Sequence, residues 1–519
     1  MSISWARPKQ SREQILLFSP SLDDVIPKDH AIRQLDAVLS AVDWSDWEMR
    51  YNLLRGQPPI HPRLIAGIIL YGLHCHLRSS RDLEDGTRNR IDFMWFLDNM
   101  TIDHSTFATF RKKFGKELKG LNRQIIAVAL KHSMSQLSEL SVDGTRIKAY
   151  SSRDKTRKAK YLEKLLAELD LELEKALTIT SQQDIEDQPG KCTAVELEKE
   201  LKRLQTKREK IEYALQTAKS RDAVRVAKQG KSAKPVSVPV NDPEAYLQPN
   251  KEGGHAPNYT PTAAVDKTSG CIISADVVEG NAESDAVMPA VQEAEQGYGY
   301  KPQKVCTDGN LACGQDQAEF AKQDITFYAP TASVPAELSP AARPDPRQPL
   351  PEEQWKELPM RGKKRKQLAR GAFLYDQDAN CYWCPLGKAL KPSKTGKKKT
   401  NKGTIAQIIY TCSNCNDCPL MEQCLSGSAK RRNITRDEYE EHREATAKRM
   451  QSEEGKEIYK SRAPTVETVF GHIKRVMGIR QFSTIGLKNV QNEWQWICAS
   501  FNLMKLLRMI ARATKPLAS

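Results

Sequence analysis

The sequence predicts a mixed α/β protein (α+β overall), with an all-helical N-terminal unit and a strand-containing core interrupted by two insertions. Three observations carry this. The apolar period is helical from about Ile15 to Leu130, and at Leu137 it gives way to strand character. Strands and helices then alternate as far as Ala329. Two segments leave the alternation, one densely charged and one rich in Pro, Lys and Cys. A chain of 519 residues is also too long for one ordinary core, so several folding units are expected.

In the N-terminal unit Ile32, Leu35, Val38 and Leu39 recur at helical spacing, as do Leu64, Ile68 and Tyr71, with Pro58, Pro59 and Pro62 as punctuation. DHSTFATFRKKF reads as a helix start with Asp103 or Ser105 as N-cap, and His104 reads as a capping or packing residue. LSELSVDGTRIKAYSS then predicts a strand ending at Asp143-Gly144, followed by an extended Ile147 to Tyr150. From Arg153 to about Pro235, Leu162, Leu165, Leu166 and Leu169 and later Leu197, Leu201, Leu204, Ile211 and Leu215 predict a helical hairpin. It reads equally as a solvated pair and as a DNA-contacting or dimerising arm.

Thr262 to Val265 and Cys271 to Val278 predict an antiparallel hairpin, followed by a helix from about Ser284 to Gln296. A short strand, Lys304 to Cys306, runs into Asp308-Gly309; a helix near Cys313 to Gln323 and a strand from Thr326 to Ala329 come next. Thr331 to about Ala429 shows no apolar period long enough for a core. Regularity resumes with one charged helix from about Arg436 to Ile458, then Pro464 to Met477, then an amphipathic helix from Val490 to Ile510.

Composition narrows the function classes. Lys and Arg number 80 against 65 Asp and Glu, a formal charge of +15, which favours a polyanionic partner. The longest apolar run, LIAGIILYGL, is roughly half the length that spans a bilayer. With no apolar signal region in MSISWARPKQ, a cytoplasmic, nucleoid-associated protein with no membrane partner is expected. Six of the twelve cysteines crowd between Cys381 and Cys424, which points to metal in a reducing compartment and not to a secreted disulfide scaffold.

In-line cleavage of a phosphodiester uses two divalent metals about 3.5–4 Å apart, and hard Mg²⁺ or Mn²⁺ prefers carboxylates. Asp143 and Asp308 each end a predicted strand and would sit side by side if those strands are neighbours; taken singly, each Asp-Gly also reads as a turn. A third acid comes from SRAPTVETVFGHIKRVMG. There Val466, Val469, Phe470, Ile473 and Met477 form an apolar face that leaves Glu467, Gly471 and Lys474 on an adjoining stripe. That stripe serves a metal and a phosphate, or is simply a solvated Glu-Lys surface.

Tyr459, Arg462, Glu467 and Lys474 resemble the Tyr-Arg-Glu-Lys signature of DDE-type transposases of bacterial insertion sequences. The six residues between Glu467 and Lys474 match the familiar spacing; the four between Arg462 and Glu467 are one more than in the best-known version, and resemble a sister branch. HPRLIAGIILYGL, LRSSRDLED and DHSTFATFRKKF are similar to the helical N-terminal domain of these proteins, VDGTRIKA to their first catalytic strand, NYTPTAAVDKTSGCIISADVV to the central hairpin and VCTDGN to the second Asp region, with Asn310 where many relatives place an aromatic.

The resemblance implies an RNase H-like mixed-sheet catalytic core. Its two Mg²⁺ (or Mn²⁺) ions would be bound by Asp143, Asp308 and Glu467, with Lys474, Arg462 and Tyr459 toward phosphate. The implied division is a DNA-binding helical domain (1–135), a first part of the core (136–152 and 241–330), a charged helical insertion (153–240), a basic cysteine-rich insertion (331–435) and the C-terminal helices of the core (436–519). The implied reaction is cleavage and strand transfer at the ends of an insertion sequence. Its partners would be double-stranded DNA, as terminal inverted repeats and target, and further copies of the chain on that DNA. The rival readings are a catalytically inactive DNA-binding derivative and a metal-dependent nuclease that does not join strands.

CPLGK and CSNCNDCPLMEQC before the Glu helix are a recurring feature of this branch. Cys412-x2-Cys415-x2-Cys418-x5-Cys424 with Cys381-x2-Cys384 supplies more thiolates than one tetrahedral Zn²⁺ site needs. Cys384, Cys415, Cys418 and Cys424 or a close variant would form a structural zinc site; free or redox-active cysteines are the alternative. Basic runs at Arg361–Lys366, Lys397–Lys399 and Lys430–Arg432 flank the cluster and suit phosphate contacts or mere solubility. For end recognition the segment Arg78 to Arg90 with the helix Thr106 to Phe114 is favoured, with Arg78, Arg81 and Arg111 toward a groove.

Overall fold

Which acids can meet depends on strand order, because only neighbouring strands bring their ends together. The computed structural model describes residues 21–51, 58–131, 135–183, 194–230, 232–250, 253–280, 282–361, 367–400, 402–425 and 429–513. They form two units, one taking the residues up to Ile125 and again from Ala499, the other Ile126–Cys498.

The first unit is helical. Helix Pro62–His74 begins where His61 accepts the Arg63 N–H and Pro62 occupies the first turn; it buries Ile65, Ile68, Ile69 and Leu70 completely or nearly so. Gly67 is required there, since a Cβ would stand 2.4 Å from the Phe96 ring. Trp47 stacks on Phe110 and Phe114, with centroids 5.6 and 4.9 Å away. Ser79 and Asp103 cap helices Ser80–Asn89 and His104–Lys113, and His104 Nδ1 lies 2.6 Å from Glu84. Among the described residues no helix is long and apolar enough to cross a membrane.

In the second unit the central sheet is built from β1 (Glu139–Gly144), β2 (His255–Asp266), β3 (Ile272–Val278), β4 (Lys304–Thr307) and β5 (Thr326–Tyr328). Its order is β3-β2-β1-β4-β5, with short strands Ile147–Lys148 and Tyr246–Pro249 added along β2. β1 runs antiparallel to β2, and β2 to β3, whereas β4 lies parallel to β1 and β5 parallel to β4. The result is a mixed sheet, antiparallel on one side of β1 and parallel on the other. Alternation along the strands assigns the faces. Val142, Val305 and Phe327 enter a core with Val287, Val291 and Phe320 of helices Val287–Tyr298 and Gly314–Lys322. Cys306 and Tyr328 turn to the opposite face and pack on Ile458, and parity puts Asp143 on that second face.

The charged segment forms helices Ala159–Gln183 and Ala194–Gln229, which close on each other through Leu162, Leu169, Ile211, Ala214 and Leu215. The cysteine-rich insertion departs from its sequence reading. It has a core of its own, including Leu358, Phe373, Tyr382, Leu390, Tyr410 and Ile434, and a five-stranded antiparallel sheet whose longest hairpin pairs Ala389–Thr400 with Gly403–Cys412. The strand Ala389–Thr400 is almost wholly exposed along its Lys-rich half, so alternation never registers. The run Arg361–Lys366 lies outside the described residues apart from Arg361.

The single charged helix expected from Arg436 to Ile458 is also corrected. Asn433–Asp437 is a strand paired with Gly403–Cys412, and two helices follow, Glu440–Gln451 and Glu453–Arg462. Ser452 leaves the helical region at ψ 154 and caps the second helix by accepting the Gly455 N–H at 3.0 Å. A Cβ on Gly455 would lie 2.0 Å from the Arg449 carbonyl oxygen, so the break needs glycine. The period misses it because both helices are uniformly polar.

Glu440, only 1% exposed, fastens the insertion to the first of these helices: its carboxylate meets Arg370 of the insertion at 2.8 Å, and also Arg443 and Ser333. Glu440→Gln leaves Arg370 without its buried counter-charge and Arg443 with Asp437 alone. The expected loss is about 3–5 kcal/mol, read from urea unfolding of the full chain; a loss below about 1 kcal/mol would contradict the clamp.

Candidate active site

Parallel pairing of β1 with β4 sets Val142 opposite Thr307, so Asp143 and Asp308 leave the sheet side by side at the same end. The two glycines that follow are not left-handed turn residues. Each gives room instead: a Cβ on Gly144 would sit 3.1 Å from the side chain of Glu283, and one on Gly309 3.0 Å from the Pro330 carbonyl oxygen. Asp143 accepts the Gly144 N–H at 2.8 Å. Asp308 turns back to accept the Asn310 N–H.

Arg462 reaches across from the last residue of its helix. Its guanidinium donates to Asp143 at 3.0 Å, stands 3.6 Å from Glu467 and lies 5.7 Å from the centre of the Tyr459 ring. Only 11% of the Arg462 side chain is exposed, against 62% for Glu467, and the buried Nε of Arg462 has no hydrogen-bond partner. The backbone explains how Arg462 and Glu467 meet. Residues Ala463–Glu467 form a π-helical turn that includes Pro464, and a π turn brings i and i+5 onto one face. The extra residue between Arg and Glu is absorbed there.

A second π turn, His472–Val476, carries Lys474, whose Nζ donates to the Thr145 hydroxyl at 2.5 Å and to the Arg146 carbonyl at 2.9 Å. Glu467 and Lys474 are thus both attached to the end of β1, one through Arg462 and the other through the turn after Asp143.

Glu283, which the sequence reading did not single out, belongs to this neighbourhood. Burial pushes its carboxyl up; Arg146 draws it down, and the charges of Asp143 and Asp308 push it further up. Burial likewise raises Asp143, against the pull of the Gly144 N–H and Arg462 and with a further push from Asp308. In the sequence Glu283 sits just before a helix, where an acid is an ordinary terminus residue; only the antiparallel return of β3 carries it to Gly144. Among the described residues, no three His, Cys, Asp or Glu side chains are grouped so that they could hold a metal ion. The donor chemistry, carboxylates that repel one another, nonetheless suits a hard divalent cation.

The basic hairpin approaches the same end of the core. Lys402, at its tip, donates to both oxygens of the buried Asp316 at 2.6 Å and to the Ser284 carbonyl at 3.1 Å, while Lys391, Lys394 and Lys397–Lys399 are exposed along the strand. In the other unit Arg81 is exposed, and the half-buried Arg111 donates to the Arg78 carbonyl at 2.8 Å.

The cysteines separate into two places. Cys384, Cys412, Cys415, Cys418 and Cys424 line one cavity of about 20 Å³, whereas Cys381 faces Asp376, Lys391 and Arg347. Burial pushes the Cys412 thiol up to about 12 and that of Cys424 up to about 11.

Comparison with known families finds likeness in two segments of the chain. A family model described as a transposase DDE domain matches residues 383–507, and one described as a transposase domain (DUF772) matches residues 20–113. Over these two separate segments the chain is similar to transposases, the C-terminal one of them to a DDE domain. Tyr459, Arg462, Glu467 and Lys474 fall within the first match and Arg78, Arg81 and Arg111 within the second; Asp143 and Asp308 lie between the two. No curated protein and no solved structure matches the chain. DDE transposases usually use divalent metals.

Because the folded carboxyl of Glu283 is raised, its cost appears as pH climbs past the ordinary Glu value of 4.5 and is full above the folded value. In EDTA, the chain carrying Glu283→Gln is therefore expected to melt about 1–3 °C higher than wild type near neutrality, the partial exposure keeping the gain small. The gain should vanish near pH 4. A variant that melts lower at neutral pH in a fluorescence melting scan would contradict the repulsion.

Proposed function

We propose that this chain is a DDE transposase that cleaves DNA at the ends of an insertion sequence and transfers the freed 3′-hydroxyls to target DNA, with Asp143, Asp308 and Glu467 as its catalytic acids. The observation that carries the reading is the union of three distant segments at one sheet end: Asp143 beside Asp308 through parallel pairing, and Glu467 brought to Asp143 by the Arg462 guanidinium.

The three acids, with Glu283 close by, would hold the divalent ions, Mg²⁺ or Mn²⁺; when bound, these supply the charge that activates the attacking oxygen and stabilises the departing one. The protein's own groups do the rest. Arg462 neutralises Asp143 before metal and DNA arrive, and Lys474, fixed to the turn after Asp143, offers a positive charge for a phosphate oxygen. Tyr459, against the Arg462 guanidinium, orients it. No side chain at this sheet end is needed as a covalent nucleophile, because water and then the 3′-hydroxyl fill that role in two in-line displacements.

The exposed lysines of the hairpin supply a phosphate-tracking surface anchored beside the acids through Lys402, and binding through them falls as salt rises. Arg78, Arg81 and Arg111 are assigned to the terminal repeats. Joining two ends requires two or more copies of the chain on the DNA.

The decisive assay supplies labelled terminal repeats, target plasmid and Mg²⁺. Wild type should yield strand-joined product, and Asp143→Asn, Asp308→Asn and Glu467→Gln should each lower its rate by about a thousandfold or more. Their binding of the repeats in gel-shift experiments in EDTA should stay within about threefold of wild type. Binding without cleavage by wild type would make the chain an inactive DNA reader, and cleavage without joined product a nuclease. Joining that survives any of the three substitutions would remove that residue from the site.

A further inference from the structure

The cavity lined by five cysteines lies in the insertion, apart from the acid cluster, and nothing in the proposed reaction uses it. Its walls bring together three segments: the turn after strand Cys381–Trp383, the end of strand Gly403–Cys412, and a loop leading to a helix of four residues, Met421–Cys424. The described cysteines are all free thiols. Five thiols around about 20 Å³ leave room for a single ion or water and no more.

We propose that this cavity is a structural zinc site, with Cys384, Cys415, Cys418 and Cys424 as the four ligands and Cys412 as a neighbour outside the coordination sphere. Three observations carry it. The first is the turn at Cys384. Gly387 adopts φ +72, and a Cβ there would fall 2.0 Å from the Arg347 carbonyl oxygen. The tight turn this permits aims the Lys388 N–H at the Cys384 sulfur, 3.3 Å away. A backbone donor pointed at sulfur stabilises a thiolate, the form that binds metal.

The second observation is counter-charge. Four thiolates around one zinc leave two net negative charges, and two guanidiniums hold the ligand-bearing loops. Arg343 donates to the Cys384 carbonyl at 2.8 Å and Arg432 to the Cys424 carbonyl at 2.8 Å. Arg432 also lines the cavity, and its buried Nε has no hydrogen-bond partner.

The third observation sorts the cysteines. Cys412, 2% exposed at the end of its strand, donates its S–H to the Asn414 carbonyl at 3.5 Å and so has a use as a thiol. Cys381 does not line the cavity and lies opposite Asp376 on the neighbouring strand. The remaining four come from two well-separated segments, as a staple between loops requires. As the side chains stand, the described thiols are not grouped at metal-holding distance, so binding draws them inward by side-chain rotation. The metal would then contribute folding energy to the insertion.

The test uses the full chain purified under reducing conditions, with metal content measured by atomic absorption. Wild type should carry about one zinc per chain, and cobalt exchanged into it should show the intense sulfur-to-metal absorption of a tetrahedral thiolate site. Cys384→Ser, Cys415→Ser, Cys418→Ser and Cys424→Ser should each lose the zinc, while Cys381→Ser and Cys412→Ser keep about one. Mercurial titration of folded wild type should release the zinc only as the cavity thiols react, a readout that does not depend on any variant folding. Zinc-free wild type, a disulfide between any two of the four ligands in the isolated protein, or loss of zinc on replacing Cys381 or Cys412 would overturn the assignment. None of these outcomes depends on whether the acid cluster joins strands.

Discussion

The parallel hydrogen-bonded ladder between β1 and β4 is the interaction on which the rest depends. Residues 139–142 pair with residues 304–307, although the whole helical hairpin and the β2–β3 return lie between them in the chain. Parallel neighbours end at the same edge of the sheet, and ligand sites of open α/β sheets gather outside the carboxyl ends of such strands. A one-residue slip of β4 would swing Asp308 to the other face and part it from Asp143. The sheet protects that register with alternation: Val142 and Val305 are nearly or wholly buried on one side, and Cys306 on the other.

The second dependence is local. A regular α-helix from Glu453 onward would turn residues five apart onto different sides. With four residues between Arg462 and Glu467, a straight helix would aim the guanidinium and the carboxylate apart. Pro464 has no N–H to give to an α-helical bond, and the turn widens to the π form over 463–467. The guanidinium then bridges Asp143 and Glu467. A spacing that looks like a departure from the family pattern is thus compensated in the backbone, and the cost of a π turn is met by a buried ion pair with Asp143.

Much of this was legible before the structure, and the exceptions have identifiable causes. The core strands were visible because they are half-buried or fully buried runs with turn residues at their ends, and Asp143 and Asp308 stood at two of those ends. Helix Glu453–Arg462 was merged with its neighbour because a capping serine and one crowded glycine carry no hydrophobic signal. The core of the cysteine-rich insertion stayed hidden because its buried residues, from Ala341 to Ile434, are scattered among loops and short strands, and the longest of these strands turns lysines outward. Glu283 could not be found from spacing, since its approach to Gly144 is set by how far β3 runs before the chain turns back. The cysteines were legible as a cluster, but which of them share a cavity followed only from the fold, in which Cys381 is not part of the lining.

The most direct measurement of convergence is affinity cleavage by iron. Fe²⁺ replaces Mg²⁺ in the purified chain, ascorbate and peroxide generate radicals at the bound metal, and mass spectrometry maps the backbone cuts. Cuts beside Asp143, Asp308 and Glu467 together, all suppressed by excess Mg²⁺, are the expected result. Cuts beside only one of these residues, or a pattern that excess Mg²⁺ leaves unchanged, would contradict a shared metal site at this end of the sheet.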